Sequence, residues 1–272
     1  MQIDILGPVS VTVGGVTREV RAAKVRTMLV TLSLEAGRAV SCAELADELW
    51  AGQEIGNISN ALQAHATRVR KVLEAPGRSG TSLVCSVAGG YRLDVSPNCI
   101  DAHRFLRLAS DGSAALAGDP GRALRVLEAA LALWRGPALL DAGAGLRCRS
   151  AATLFEERRT TVWEMLVIAR LILGDESRAV AELGQLVAQN PLSERFCELL
   201  MLALYRAGRQ SDALQLFRVM QRRLDEELGV RPGGALQRRH SEILAQDPAL
   251  ARHDVLWRAT RNPGRDGLLA VR

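Results

Sequence analysis

Long hydrophobic runs are missing from this sequence of 272 residues. No stretch approaches the ~20 apolar residues that an α-helix needs to cross a membrane. The amino terminus, MQIDILGPVSV, lacks a basic region followed by a long apolar block, so it does not resemble a secretory signal. Apolar residues still make up 48% of the chain, enough for a sizeable core. We expect a cytoplasmic protein without membrane contact.

Paired cysteines are missing as well. The five cysteines are odd in number and widely separated, and no Cys-x-x-Cys occurs; they are Cys42, Cys85, Cys99, Cys148 and Cys197. Zinc sites and disulfide frameworks both need closer or paired spacing. We therefore expect reduced thiols, as is usual in the cytoplasm, and no metal site.

Catalytic motifs are also absent. The four histidines are dispersed, and the sequence contains no His-Glu-x-x-His, no Gly-x-Ser-x-Gly and no Gly-x-x-x-x-Gly-Lys phosphate loop. These absences remove the common signatures of metalloproteases, hydrolases and nucleotide-binding modules. The sequence predicts no catalytic residues, no cofactor and no enzymatic activity.

Lysine is scarce, because Lys24 and Lys71 are the only two in the chain. Arginine therefore carries nearly all of the positive charge, and the formal net charge is +5. That total does not by itself indicate a nucleic-acid partner. The charge is concentrated between residues 60 and 80, where four basic residues face one acid; they are Arg68, Arg70, Lys71 and Arg78 against Glu74. A focused basic patch favours a nucleic-acid-binding surface.

The segment from Asn57 to Leu73 predicts a helix with two unlike faces. Apolar residues recur at spacings of four, three and four and form one stripe; they are Leu62, Ala66, Val69 and Leu73. The opposite side carries two cations, amides and a hydroxyl. Such groups suit phosphate oxygens and base edges in the major groove of DNA. A solvated amphipathic helix is the alternative, since such helices are common.

The order of the surrounding elements favours the DNA-binding interpretation. Short alternating segments predict three strands, with a hairpin turn at Gly14-Gly15. Two helices follow, the second starting at the capping box Ser41-x-x-Glu44. After the helix of residues 57–73, two more strands flank Ala88-Gly89-Gly90. Three helices framed by strands and closed by a hairpin predict a winged helix whose third helix enters the groove.

The second half of the chain predicts an all-α repeat. Gly174-x-x-x-x-Ala179-x-x-x-Leu183 recurs 34 residues later as Gly208-x-x-x-x-Ala213-x-x-x-Phe217, and Gly118, Ala123 and Leu127 repeat the pattern at a longer interval. A period of 34 residues is typical of tetratricopeptide-like helix pairs. The predicted fold class is thus mainly α with small β elements: a winged helix-turn-helix domain followed by an all-α, tetratricopeptide-like domain.

Several motifs in the right order resemble the Streptomyces antibiotic regulatory protein (SARP) family. In the first half they are Leu6-Gly7-Pro8, Glu48-Leu49-Trp50, Ala61-Leu62-Gln63, Arg68 to Leu73, and Gly90-Tyr91-Arg92-Leu93. In the second they are Asp101-x-His103-x-Phe105, Leu131-x-x-Trp134-Arg-Gly-Pro137, Leu200 to Arg209, and Glu227 to Gly233. The resemblance implies an OmpR-type winged-helix domain at 1–96, a bacterial transcriptional activation domain at 100–248, and a basic tail at 249–272.

This resemblance also implies a function and partners. Family members activate transcription of a secondary-metabolite (antibiotic) gene cluster. They bind direct repeats in promoter DNA as a homodimer or as tandem protomers, and they recruit RNA polymerase holoenzyme through its sigma factor and other subunits. The expected location is the cytoplasm, in association with the nucleoid.

The candidate DNA contacts lie on the third helix and the hairpin: Asn60, Gln63, Ala64, Thr67, Arg68, Arg70, Lys71 and Arg92. Amides suit adenine edges, and Arg68 suits guanine or a phosphate. Arg70 points to the flank, where an intradomain salt bridge is an equal alternative. The hairpin tip lacks the cation that OmpR-type wings place there. Arg92 is the nearest substitute, although its side of the strand could face the core.

Two other functions share this architecture. A repressor would block polymerase instead of recruiting it, and the sequence does not separate the two. An interaction adaptor would use its helical repeats and contact protein, not DNA, with the winged helix.

Overall fold

The chain begins with a small antiparallel sheet, as predicted. The computed structural model describes residues 1–51, 53, 56–74 and 82–252. Strands pair in the order β1 (Gln2–Asp4), β2 (Ser10–Val13) and β3 (Val16–Glu19). Gly14 and Gly15 form the β2–β3 turn with φ angles of 60° and 81°. Two left-handed residues in succession match the twist of a tight hairpin and explain the glycine pair.

Three helices and a second sheet complete the predicted winged helix. The helices are α1 (Ala23–Leu34), α2 (Cys42–Trp50) and α3 (Ile58–Leu73). The second sheet has the order β4-β6-β5, with β4 at Ala39–Ser41, β5 at Val84–Val87 and β6 at Gly90–Leu93. The sequence did not predict β4, because its three residues follow a turn, end on the cap of α2 and are too few to show alternation.

The capping box at the start of α2 is confirmed. The Glu44 backbone N–H donates to Ser41 Oγ at 3.2 Å, and the Ser41 N–H donates to Glu44 Oε2 at 2.9 Å. These reciprocal bonds satisfy two backbone donors at the start of the helix. Serine hydrogen bonds lower the pKa of Glu44, and nearby Arg147 lowers it further.

A buried carboxylate joins the first strand to the helix that follows the hairpin. Helix α4 (Asp101–Ala115) begins after a short 3-10 turn at Pro97–Cys99. The Asp101 side chain is 1% exposed and accepts the backbone N–H of Ile5 at 2.8 Å and of Leu6 at 2.9 Å. It also accepts its neighbour's N–H, from Ala102, at 2.7 Å. Asp101 thus orders the end of β1 and the start of α4 together.

The other residues of the Asp101-x-His103-x-Phe105 motif also make tertiary contacts. His103 Nε2 lies 2.9 Å from the Ser33 carbonyl oxygen at the end of α1. The Phe105 ring meets Trp134 edge to face at 5.2 Å between centroids, and the Arg159 guanidinium lies over Trp134 at 4.5 Å. The motif therefore binds α4 to the winged helix and to the segment around Trp134.

The Leu6-Gly7-Pro8 motif packs against the Trp134 to Pro137 motif. The Arg135 N–H donates to the Leu6 carbonyl at 2.8 Å. Gly7 has a φ of 139°, and a Cβ there would lie 3.0 Å from the Arg135 backbone. Only glycine fits this approach without a shift of the chain. Two motifs that lie far apart in sequence thus form the two sides of one contact.

The remaining regular elements of the described chain are helices. They are α5 (Pro120–Leu131), α6 (Leu146–Ile172), α7 (Glu176–Gln189), α8 (Glu194–Arg206), α9 (Gln210–Leu228) and α10 (Gly234–Leu244), with a last 3-10 turn at Pro248–Ala251. Gly174 and Gly208 occupy corresponding helix-to-helix turns with φ angles of 77° and 75°. The repeat's alanines are fully buried; they are Ala123, Ala179 and Ala213. The helical repeat is confirmed.

A buried arginine connects three of these helices. Arg170 in α6 is 4% exposed and donates to Glu128 and Glu182 at 2.8 Å and to Asp175 at 3.1 Å. Burial alone would lower its pKa, but the three carboxylates outweigh burial and raise it. The guanidinium is therefore held charged where it meets α5 and α7.

The chain divides into two compact units. The first comprises residues 1–109 and 129–161, and the second comprises 110–128 and the residues from 162 onward. Segment 129–161 thus groups with the winged helix. The predicted borders at 96, 100 and 248 remain a prediction. Residues 75–81, including Arg78, and most of the predicted tail lie outside the described part of the chain. Among the described helices, none is long and apolar enough to cross a membrane.

We expect Asp101→Asn to lower the free energy of unfolding by about 1–3 kcal/mol, because the new amide nitrogen cannot accept the backbone N–H groups that one carboxyl oxygen accepts in either protonation state. Burial raises the Asp101 pKa from 3.8 to about 6, although the backbone N–H groups oppose that shift. A raised pKa means that the folded state binds the proton more tightly. The stabilisation of the folded state by the Asp101 proton is therefore complete below about pH 4 and is lost as the pH rises through about 6.

Urea unfolding of both proteins between pH 4 and pH 8 measures this effect. The stability difference between wild type and variant should be larger at the acid end. A stability difference that grows with pH would contradict the raised pKa of Asp101.

Candidate nucleic-acid interface

The third helix has the two faces that its sequence predicts. Its buried residues are Leu62, Ala66, Val69 and Leu73. They face α1, α2 and the strands β2 and β5, with which α3 makes its contacts. The opposite face is exposed at six of the predicted DNA contacts: Asn60, Gln63, Ala64, Thr67, Arg68 and Lys71. The helix contains no acidic residue.

The ends and middle of this helix are held by local hydrogen bonds. Asn57 provides the side-chain cap, since its Oδ1 accepts the Asn60 N–H at 3.0 Å. The Thr67 hydroxyl donates to the Gln63 carbonyl at 2.9 Å. That bond occupies the hydroxyl hydrogen, so Thr67 would meet DNA through its methyl group or as an acceptor.

Four of the exposed side chains are available for a partner. Asn60, Gln63, Arg68 and Lys71 make no side-chain hydrogen bond or ion pair to another described residue. Long cations on an exposed helix face usually gain partners within the same helix. Here α3 supplies no carboxylate, so the positive charge of the face is not neutralised by its own helix.

Arg70 differs from its neighbours because it binds the hairpin. Its Nε donates to the Val84 carbonyl at 2.9 Å and lies 3.1 Å from Ser82 Oγ, and Nη2 donates to Ser86 Oγ at 3.1 Å. These are intradomain bonds, although the partners are hydroxyl and carbonyl oxygens where the sequence suggested a carboxylate. The structure thus shows Arg70 fixing the hairpin to α3.

Arg92 lies on the central strand of the hairpin sheet and is half-exposed. Tyr91 and Leu93 point into the core, so Arg92 projects from the other side of β6. Its Nη2 lies 3.6 Å from Asp94. This pair is exposed enough that water and salt screen it strongly. The Arg92 side chain does not face the core.

The hairpin tip carries no cation in the described residues Val87 to Gly90, as the sequence indicates. The tip is instead tied to α2, because the Cys42 N–H donates to the Gly89 carbonyl at 2.8 Å. Gly89 has a φ of 76°, which favours glycine in this turn. The tip therefore offers backbone but no positive charge.

His65 and Lys24 adjoin the exposed face of α3. Burial lowers the His65 pKa, and the charges of Arg68 and Lys24 lower it further. The His65 ring lies 6.0 Å from Trp50, and its Nδ1 has no hydrogen-bond partner among the described residues. Lys24, whose Nζ donates to the Leu49 carbonyl, was not among the predicted contacts. Its position beside α3 depends on tertiary packing, for which the sequence carries no local signal.

Other kinds of site find little support in the described part of the chain. No group of three or more His, Cys, Asp or Glu residues there could hold a metal ion. Cys148 and Cys197 are buried, and burial raises the pKa of each thiol to about 12. Neither thiol is therefore suited to nucleophilic or redox chemistry.

Two family models match successive parts of the chain. The family model of the bacterial transcriptional activator domain matches residues 100–244. The model described as transcriptional regulatory protein, C terminal, matches residues 20–93. The second match covers α1 to β6 and so includes the helix-turn-helix and the hairpin.

Individual relatives match over nearly the whole chain. The transcriptional regulator RedD of Streptomyces coelicolor is 55% identical over 274 residues, which cover 100% of this chain and 78% of RedD. The regulatory protein DnrI of Streptomyces peucetius is 36% identical over 93% of this chain and 95% of DnrI. The structure of Mycobacterium tuberculosis EmbR in complex with a low affinity phosphopeptide is 29% identical, with a TM-score of 0.87 over 95% of this chain and 69% of EmbR.

These matches cover both halves of the chain and agree with the fold. The chain belongs to the Streptomyces antibiotic regulatory protein family of transcriptional activators, which combine an OmpR-type winged helix with a bacterial transcriptional activator domain.

Proposed function

We propose that this protein binds direct repeats in the promoters of a secondary-metabolite (antibiotic) gene cluster and activates their transcription by recruiting RNA polymerase. The exposed face of α3 carries this proposal. It combines amides and cations that have no other described partner with a helix free of acidic residues. A protruding helix of this kind fits the major groove of B-DNA, which is about 12 Å wide.

Individual side chains of α3 take different roles in the proposal. Gln63 and Asn60 read adenine edges through paired donor and acceptor atoms, whereas Arg68 and Lys71 neutralise phosphates and set the register. Ala64 allows the helix to approach closely because its side chain is small. Arg68 is also long enough to reach guanine, so of these two cations it is the one that could contribute both to base reading and to phosphate binding.

The hairpin contributes through its position more than through its charge. Because Arg70 binds both strand β5 and Ser82 just before it, the hairpin stays beside α3. With no cation at the described tip, we expect backbone contact there and no reading of the minor groove. Arg92 would add a phosphate contact from β6 if it leaves Asp94, a change that costs little because the pair is exposed.

Two protomers would bind side by side in the cytoplasm, in association with the nucleoid. Head-to-tail protomers on one face of DNA place their sites about one helical turn apart, roughly 10–10.5 bp. The helical domain then supplies the surface for polymerase holoenzyme, including its sigma factor.

Mobility shift and footprinting on promoters of the protein's own gene cluster test the DNA-binding part. We expect protected direct repeats spaced by about one helical turn, because tandem protomers face the same side of the duplex. Affinity should fall steeply with salt, since phosphate contacts release counterions. Absence of a shift at low salt would favour the adaptor alternative.

Transcription in vitro separates activation from repression. Purified polymerase holoenzyme and a template with the protected repeats should yield more transcript when the protein is added. A variant with Arg68→Ala and Lys71→Ala, folded but weak on DNA, is the matched control and should not stimulate. A decrease in transcript with the wild-type protein would identify a repressor.

Substitutions on α3 should separate phosphate contacts from base contacts. Arg68→Ala or Lys71→Ala should each reduce the slope of log K against log salt by about one, because one phosphate contact is lost. Gln63→Ala should leave the slope unchanged and cost roughly 1–3 kcal/mol on the operator, with little change on random DNA. Equal losses for Gln63→Ala on both DNAs would contradict its role in base reading.

A further inference from the structure

The start of α6 packs closely against helices α1 and α2 of the winged helix. Gly143 has a φ of 108°, and a Cβ there would lie 2.6 Å from the Thr27 hydroxyl in α1. At Gly145, a Cβ would lie 2.9 Å from the Cα of Glu48 in α2. Any larger side chain at these glycines would push the segment away. Glycine at these two positions therefore allows a close approach between segments that are about a hundred positions apart.

Glu48 supplies the cap that α6 lacks in its own sequence. Its side chain accepts the backbone N–H of Arg147 at 2.5 Å and of Cys148 at 3.2 Å, in the first turn of α6. Glu48 is 7% exposed, so its charge is largely removed from water. The positive end of the α6 dipole and two N–H donors compensate that charge. Without α6, this carboxylate would lose both donors.

Arg147 makes a second connection from α6 to the winged helix. Nη1 lies 2.7 Å from Glu35, just after α1, and Nη2 lies 2.5 Å from Glu44 in α2. One guanidinium thus bridges two helices of the winged helix. The same Glu44 belongs to the capping box of α2, so the bridge acts on the first turn of that helix.

Helix α2 in turn contacts the DNA-binding helix. Trp50, its last residue, lies beside the His65 ring of α3, and Lys24 of α1 donates to the Leu49 carbonyl. A small rotation of α2 would therefore be transmitted to α3 through Trp50. An unbroken series of contacts leads from the start of α6 through Glu48 and Arg147 to the face that carries Arg68.

We propose that Arg147 and Glu48 are positioning residues for DNA binding, through which the start of α6 holds α2 and thereby orients the exposed face of α3. This proposal rests on the DNA-binding function proposed above. It makes the beginning of α6 part of the machinery that determines operator affinity, although α6 lies in the region matched by the activator-domain model.

Arg147→Gln is the first test, because Arg147 is partly exposed and the change removes two ion pairs without creating a cavity. We expect binding to a promoter fragment to weaken at least about fivefold, the lower end of typical coupling between sites. The salt slope should stay as in wild type, since Arg147 does not contact phosphate in this proposal. Arg147→Lys keeps the charge and should recover part of the affinity.

Two further variants separate positioning from other effects. Glu48→Gln should weaken binding similarly, and Glu48 is too deeply buried to touch DNA itself. Arg170→Gln is the matched control, because it removes three ion pairs in the second compact unit. It should lower the melting temperature and leave DNA affinity unchanged. Affinity that is unchanged in Arg147→Gln and Glu48→Gln, or weakened as much in Arg170→Gln, would overturn the proposal.

Hydrogen exchange without DNA keeps the two proposals distinguishable. Amides of α2 and α3 should exchange faster in Arg147→Gln than in wild type, whereas Arg170→Gln should leave them unchanged. If amides of α2 and α3 exchange faster in Arg147→Gln but the wild-type protein binds no promoter, the DNA-binding function fails and the helix coupling stands. Identical exchange in α2 and α3 of wild type and Arg147→Gln would overturn the coupling.

Discussion

The first compact unit depends on one buried carboxylate. Asp101 accepts backbone N–H groups from the end of β1 and from its own helix, and Arg135 lies 3.9 Å away. A carboxylate with 1% exposure would be costly in isolation, so the donors that surround it must stay in place. This requirement fixes where strand β1 ends, where α4 begins and how the segment at Arg135 lies against both. Glu48 meets the same constraint a second time, with the first turn of α6 as its donor.

These two buried acids explain why sequence motifs and compact units divide the chain differently. The matched family models separate residues 20–93 from 100–244, yet segment 129–161 groups with the winged helix. Its contacts with residues 1–109 include specific polar ones: Arg135 to Leu6, Arg147 to Glu35 and Glu44, and Val9 to Asp141. A truncation after residue 96 would remove both Asp101 and the partners of Glu48. The DNA-binding fold is therefore better regarded as a unit of two segments.

The sequence predicted the features that depend on neighbouring residues. Gly14-Gly15, the Ser41–Glu44 box and the apolar stripe of α3 each lie within a few positions, where propensity and periodicity act directly. The helical repeat is predictable from a different signal, because glycine and alanine recur at a fixed offset of 34 residues. Contacts such as Glu48 with Arg147, separated by 99 positions, leave no periodic trace. Strand β4 was missed because it owes its conformation to pairing with β6 and not to its own three residues.

The candidate interface contains both kinds of residue, those predictable from local pattern and those that depend on tertiary contacts. Its exposed residues could be named from one helical face, since exposure follows from the position of the apolar stripe. The role of Arg70 cannot be predicted in this way, because whether its side chain meets DNA or the hairpin depends on where Val84 lies. Gln63, Arg68 and Lys71 make no contacts on which the described fold depends, so they can vary with little cost in stability. Arg70 instead binds α3 to the hairpin, and Glu48 and Arg147 bind α2 to α6, so under the positioning proposal substitutions there should affect binding to all operators alike.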